Sequence, residues 1–342
     1  MTQTQTPSIS GIYEVCIGVR EPVPQIQYWE QFGYRIGQVG SLANGAAKEL
    51  YGSNSALRSI RLFHQDADCG LIRLMVWDKP MNDGLGMDSM KVKGNRWATS
   101  LTDDVLNLLN HAEEAEAAGY PIKYTQSFWE VIYQREGKAI PFVSPAVGVR
   151  EMMLLQPLTR QVLFERFNYT MPFYGKINPN SLLKASQITH MGAIVRDDSK
   201  ETLLFYDRVL GLLRVRDDAV TTYDSSAAAR QFFDLQPGEQ IVVTAFDEPR
   251  SSTSDIWAAR PGRLYIVRFP DSTPLADRHG SSRPGCLGLS LYTYRVPNLE
   301  TYFERVKASA ARDVTEIALN EFDERSFSFV APDGYFWTLI EG

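Results

Sequence analysis

Residues 188–212 read ITHMGAIVRDDSKETLLFYDRVLGL, and the way this stretch divides decides the fold. The apolar run through Val195 has the length and β-branched content of a strand, and it breaks at Asp197 and Asp198. From Ser199 to Val209 the apolar positions Leu203, Phe205, Tyr206 and Val209 fall at helical spacing, and Gly211 is placed to stop the helix. The chain resumes as LLRVRD and ARQFFDL, turns at Pro237–Glu239 and runs on as QIVVTAF, which suits antiparallel pairing. The unit is therefore strand, helix, then three strands. One of only four histidines, His190, stands at its head.

The same unit recurs along the chain, and such repetition is the strongest signal in it. A first copy starts at Gly11. EVCIGVRE aligns without a gap on HMGAIVRD, which puts Glu14 where His190 stands. Prolines at 22 and 24 open a short helix reaching Gly33, and ALRSIRLFHQ and LIRLMVW supply strands. A second copy enters through RWATSLT, has a helix with Leu106, Leu109, Ala112 and Ala115 before Gly119, and closes with VREMMLLQP at 149–157. A fourth copy has GLSLYTYRV, the helix LETYFERVKAS, and SFSFV and YFWTLIE joined at Pro332–Gly334. A helix on a small antiparallel sheet protects only one sheet face, so duplication lets sheets curl round an interior with helices outside. The expected fold class is α+β: four βαβββ modules forming two domains. Residues 10–157 and 187–342 are expected to be the two pairs of modules, with 158–186 as a connecting segment.

With 342 residues and 44% hydrophobic content the chain can bury a large core. A net charge of −6 with no basic stripe argues against nucleic-acid binding. Three cysteines, far apart and odd in number, exclude a disulfide scaffold or a thiolate zinc site. The first ten residues carry no apolar leader core, and no run of eighteen apolar residues occurs. A cytoplasmic protein without membrane partners is expected. No Rossmann fingerprint, P-loop, HExxH or nucleophile elbow is present, which lowers the prospects of nicotinamide, ATP and peptide-hydrolysis chemistry.

The repeated modules resemble the vicinal oxygen chelate superfamily of glyoxalases, extradiol dioxygenases and bleomycin-resistance proteins. The resemblance is carried by the stretch from His190 through LLFYDRVLGL and by the terminal APDGYFWTLIE. It implies a cavity whose opening and closing strands present metal ligands or their replacements. At those positions the C-terminal pair offers His190 but Ser290 and Thr338, which disfavours an extradiol iron site. The N-terminal pair offers Glu14 and Glu151, with Trp97 where a third ligand would stand. No cofactor is expected, and a divalent cation on the two carboxylates is the weaker alternative. His190, Glu14 and Glu151 are the candidate acid–base groups, not necessarily in one site. Phe128, Trp129, Tyr133, Tyr174 and Trp337 are candidate ligand-binding rings, each with the plainer alternative of a core residue. The leading expectation is an isomerase, cyclase or lyase acting on a hydrophobic or aromatic small molecule. A noncatalytic binding or resistance protein is the second reading and a metal-dependent dioxygenase a weaker third. A homodimer is left open.

Overall fold

The computed structural model describes residues 8–137, 141–196, 202–252 and 254–342. Four βαβββ modules are present. Their opening strands are Ile12–Val19, Arg96–Thr102, Ala185–Arg196 and Gly288–Val296, and in each module the closing strand lies parallel to the opening one. The strands between them return antiparallel, so each module is a small mixed sheet with its opening strand left as a free edge. An edge of unpaired N–H and C=O groups demands a partner. Here the partner is another module's opening strand.

That pairing departs from the expected grouping. Ile12–Val19 pairs antiparallel with Gly288–Val296, joining the first module to the fourth in an eight-stranded sheet. Arg96–Thr102 pairs antiparallel with Ala185–Arg196, joining the second to the third in a nine-stranded sheet. Neither sheet coincides with 10–157 or 187–342. The outer modules make one sheet and the inner modules the other.

Several local expectations hold. Pro22 and Pro24 open the helix Pro22–Gln31, where the missing proline N–H costs no helical bond, and Gly33 follows with φ +93°. Gly119, Gly211, Gly238 and Gly334 all take positive φ at the expected turns. In the third module residues 197–201, including the aspartate break and the expected helix start, lie outside the described residues, and Phe205–Val209 is a π-helical turn. The expected connecting segment contains the regular strand Arg160–Phe167, which closes the second module; Glu151 therefore lies on the penultimate strand Ala146–Leu155. The largest core cluster draws on both sheets, with Val15, Ile17 and Leu74 from one and Met191, Ala193 and Ile266 from the other. Tyr34 ties them together: its hydroxyl donates to the Gly70 carbonyl and accepts from the Ile188 amide, both at 2.8 Å.

Candidate functional site

The inner sheet curls round a cavity of about 1100 Å³. Period-two alternation sends one set of side chains from each strand into it: Val147, Val149 and Glu151; Val162, Phe164 and Arg166; Arg263, Tyr265 and Val267. The helix Ala227–Phe233 closes one end with Phe232 and Phe233, its first turn held by Ser226 Oγ accepting from the Ala229 amide at 3.1 Å.

His190 and Glu151 both line this cavity, although they come from different modules. The His190 ring sits 5.4 Å from Phe164 and 5.3 Å from Tyr265, measured between centroids. Its Nδ1 lies 3.1 Å from Thr189 Oγ1 and 3.4 Å from the Tyr174 hydroxyl. Thr189 donates its one hydroxyl proton to the Thr99 carbonyl at 3.1 Å, so toward the imidazole it can only accept. Placing the proton on Nδ1 satisfies the Thr189 contact and leaves Nε2 as a lone-pair acceptor. Burial, reinforced by the Arg263 and Arg166 guanidiniums, lowers the His190 pKa to about 3. The ring is neutral at ordinary pH, and that argues against the expected role of carrying a proton. A neutral acceptor that orients a hydroxyl or N–H group is the role left to it.

Glu151 is shifted the other way. Burial, with the Glu130 carboxylate adding repulsion, raises its pKa to about 8. Arg150, its sequence neighbour, points to the opposite face and stacks its guanidinium 4.0 Å over Trp129. Arg166 also lines the cavity. It donates to the carbonyls of Tyr174 at 2.6 Å and Met171 at 3.4 Å, and no carboxylate pairs with it among the described residues. Arg263, by contrast, is neutralised by the buried Asp247 through two bonds of 2.6 and 2.8 Å.

Glu14 lies in the outer sheet, wholly buried, away from this cavity. It accepts from Arg61 Nε at 2.6 Å, from Thr293 Oγ1 at 2.8 Å and from Arg73 Nη2. The two guanidiniums override the desolvation cost and lower its pKa to about 2. Glu321 and Glu324 complete the network on the same arginines, and Phe322 covers Arg61 at 4.1 Å. The space that is a cavity in the inner sheet is filled by ion pairs in the outer one.

A shared metal on Glu14 and Glu151 is ruled out by their positions in different sheets. Register also corrects the expected ligand equivalents. His190 faces Thr99, not the expected Ser290, and Glu14 faces Thr293, not the expected Trp97. One imidazole beside a threonine and two aromatic rings is a poor donor set for a divalent cation, and no group of three or more His, Cys, Asp or Glu side chains among the described residues could hold a metal.

Of the expected ligand-binding rings, Tyr174 and Tyr133 line the cavity, the first buried and the second at its open rim. Phe128 packs behind it against Phe232 at 5.2 Å. Trp129 is half exposed on the outer face against Phe167. Trp337 is core, stacked at 5.3 Å on Tyr294 in the outer sheet. Sequence reading missed Thr99, Phe164, Arg166 and Tyr265. A signal existed for two of them: in RQVLFERF, Val162, Phe164 and Arg166 alternate as a strand face.

No protein-family model matches the chain. No curated protein sequence matches it. Solved structures do match in shape. Glyoxalase I from Zea mays superposes with a TM-score of 0.55 at 13% identity, over 98% of this chain and 92% of that one. A candidate dioxygenase from Bacillus subtilis subsp. subtilis str. 168 gives 0.54 at 12% identity, over 98% and 86%. Such identities speak for fold alone. The chain has the four-module fold of the glyoxalase-type, vicinal oxygen chelate proteins.

Proposed function

We propose that the inner-sheet cavity is the site of acid–base chemistry on a hydrophobic or aromatic small molecule that carries an anionic oxygen. The observation that supports it is the meeting of Glu151, His190 and Arg166 in one aromatic-walled cavity, with Glu151 close to neutrality. A carboxyl group with a pKa near the working pH can both take a proton and return it, as an isomerase, cyclase or lyase step requires. Arg166 would meet the substrate's carboxylate, or an enolate or phenolate as it develops, in a site of low polarity where such a contact counts most. His190 Nε2 would accept from a substrate hydroxyl and fix its orientation. The apolar walls, Val149, Phe164, Val267 and Phe233 among them, would exclude water from the reacting centre.

The test is product analysis with a panel of aromatic and alicyclic acids, first on the wild type and then on Glu151→Gln. Turnover should fall by a factor of 10² or more in the variant while binding is kept. Unchanged turnover in Glu151→Gln would reject the assignment. A noncatalytic binding protein is the second reading, favoured by the neutral state of His190, which leaves Glu151 without a matched acid–base partner. Binding of several such acids with no chemical change in any of them would select it.

A further inference from the structure

A second, smaller cavity of about 470 Å³ lies at the seam between the sheets, away from the aromatic one. It is bounded by the loop through His279 and Arg283, the turn Pro332–Gly334 and the start of the second module at Lys93. Its lining is charged, with Lys93, Arg283 and Arg312 prominent. Two of its three aspartates are already engaged, and the third, Asp313, stands exposed at the rim. Asp277 is held by Lys93 Nζ at 2.7 Å and accepts from His279 Nδ1 at 3.0 Å, while Asp333 accepts from the Tyr206 hydroxyl at 2.6 Å. Arg283 and Arg312 have no carboxylate partner among the described residues. Arg283 Nε and His279 Nε2 are buried without any hydrogen-bond partner, which is costly unless a ligand or solvent supplies one.

The orphaned atoms ask for different things. Guanidinium N–H groups need an acceptor. His279 has its Nδ1 proton committed to Asp277, so the neutral ring needs a donor at Nε2. Gly334 keeps that nitrogen accessible: a Cβ there would sit 3.1 Å from it. A carboxylate or sulfate offers acceptors only. A singly protonated phosphate group offers both, anionic oxygens for the guanidiniums and a P–OH for the imidazole. We infer that this seam cavity is a phosphate site, with Arg283 and Arg312 meeting the anionic oxygens and His279 Nε2 accepting from the phosphate hydroxyl. The ligand class is inorganic phosphate or a small molecule bearing a phosphate group.

Titration calorimetry on the full chain at neutral pH and low ionic strength, with inorganic phosphate and with sulfate, tests this. Saturable phosphate binding at one site is expected, at least fivefold tighter than sulfate. Arg312→Gln and Arg283→Gln should each weaken it fivefold or more. Arg312 is exposed, so its variant keeps the fold, checked by an unchanged circular dichroism melt. No saturable heat, equal affinity for sulfate, or phosphate binding that survives both substitutions would each overturn the assignment. Loss in Arg166→Gln with retention in Arg283→Gln would place the anion in the aromatic cavity and overturn it as well. An adventitious ion only, seen as affinity that no substitution alters, counts against it too.

Discussion

Three ionisable strand residues are driven in different directions by their surroundings, and linkage makes each measurable. Glu151 has a folded pKa of about 8, above the ordinary carboxyl value, so the folded state holds a proton that the unfolded chain releases. Its stabilising share is complete at low pH and is lost as pH rises toward 8. Glu151→Gln should therefore be more stable than wild type at pH 9, on the order of 2–4 kcal/mol after screening in an open cavity, and the difference should vanish near pH 4. Urea melts at the two pH values check this; equal differences at both would contradict it. His190 has the opposite sign. Its folded pKa of about 3 lies below the unfolded value, so stability is present above pH 6.5 and drains away between 6.5 and 3. His190→Gln should flatten the wild-type loss across that window in the same melts. Glu14 serves the fold: removing its charge in Glu14→Gln leaves Arg61 and Arg73 buried with a weakened partner, at a cost of about 3–5 kcal/mol in urea denaturation.

At the scale of elements, the strand Arg160–Phe167 and the opening strand Ala185–Arg196 do most to shape the cavity. Gly192 on the latter is there because Trp97 crosses it: a Cβ would meet the indole Cζ2 at 1.9 Å. Trp97 is itself a cavity wall, edge-on to Phe233 at 5.5 Å. Gly192→Ala should push the indole toward the cavity, lower stability by about 1–3 kcal/mol and weaken ligand binding. Denaturation together with the indole emission spectrum reads both effects; an unshifted spectrum would show that the strand moves instead. In the described part of the third module's expected helix, Phe205–Val209 forms a π-helical turn, with Phe205 packed against Phe329 and Tyr206 against Trp337 in the core.

Across the whole molecule, each sheet takes one module from each half of the chain. A fragment 1–157 keeps two opening strands whose native partners, Gly288–Val296 and Ala185–Arg196, lie in the other half. Expressed alone, fragments 1–157 and 158–342 should aggregate or give loose, non-native species, and together they should form one compact complex with the native circular dichroism spectrum. A stably folded, monomeric single half by size exclusion would contradict this pairing. The cavity depends on the same crossing, since Glu151 comes from the first half and His190 from the second.

Module identity was legible in the residues themselves. The alignment of EVCIGVRE on HMGAIVRD, the proline-opened helix at Pro22 and the glycine turns are local features, set by backbone sterics and hydrophobic period, and a single sequence carries them. So were His190 and Glu151 as residues of interest. Their meeting, the confinement of Glu14 among arginines and the entry of Arg166 into the cavity were not. All of these follow from which free edge pairs with which. Four near-equivalent edges have several self-consistent pairings, and only the packing of the assembled core, with Tyr34 bridging the sheets, selects one. The side-chain charge states follow from that choice, because desolvation and neighbouring guanidiniums exist only once the sheets are joined.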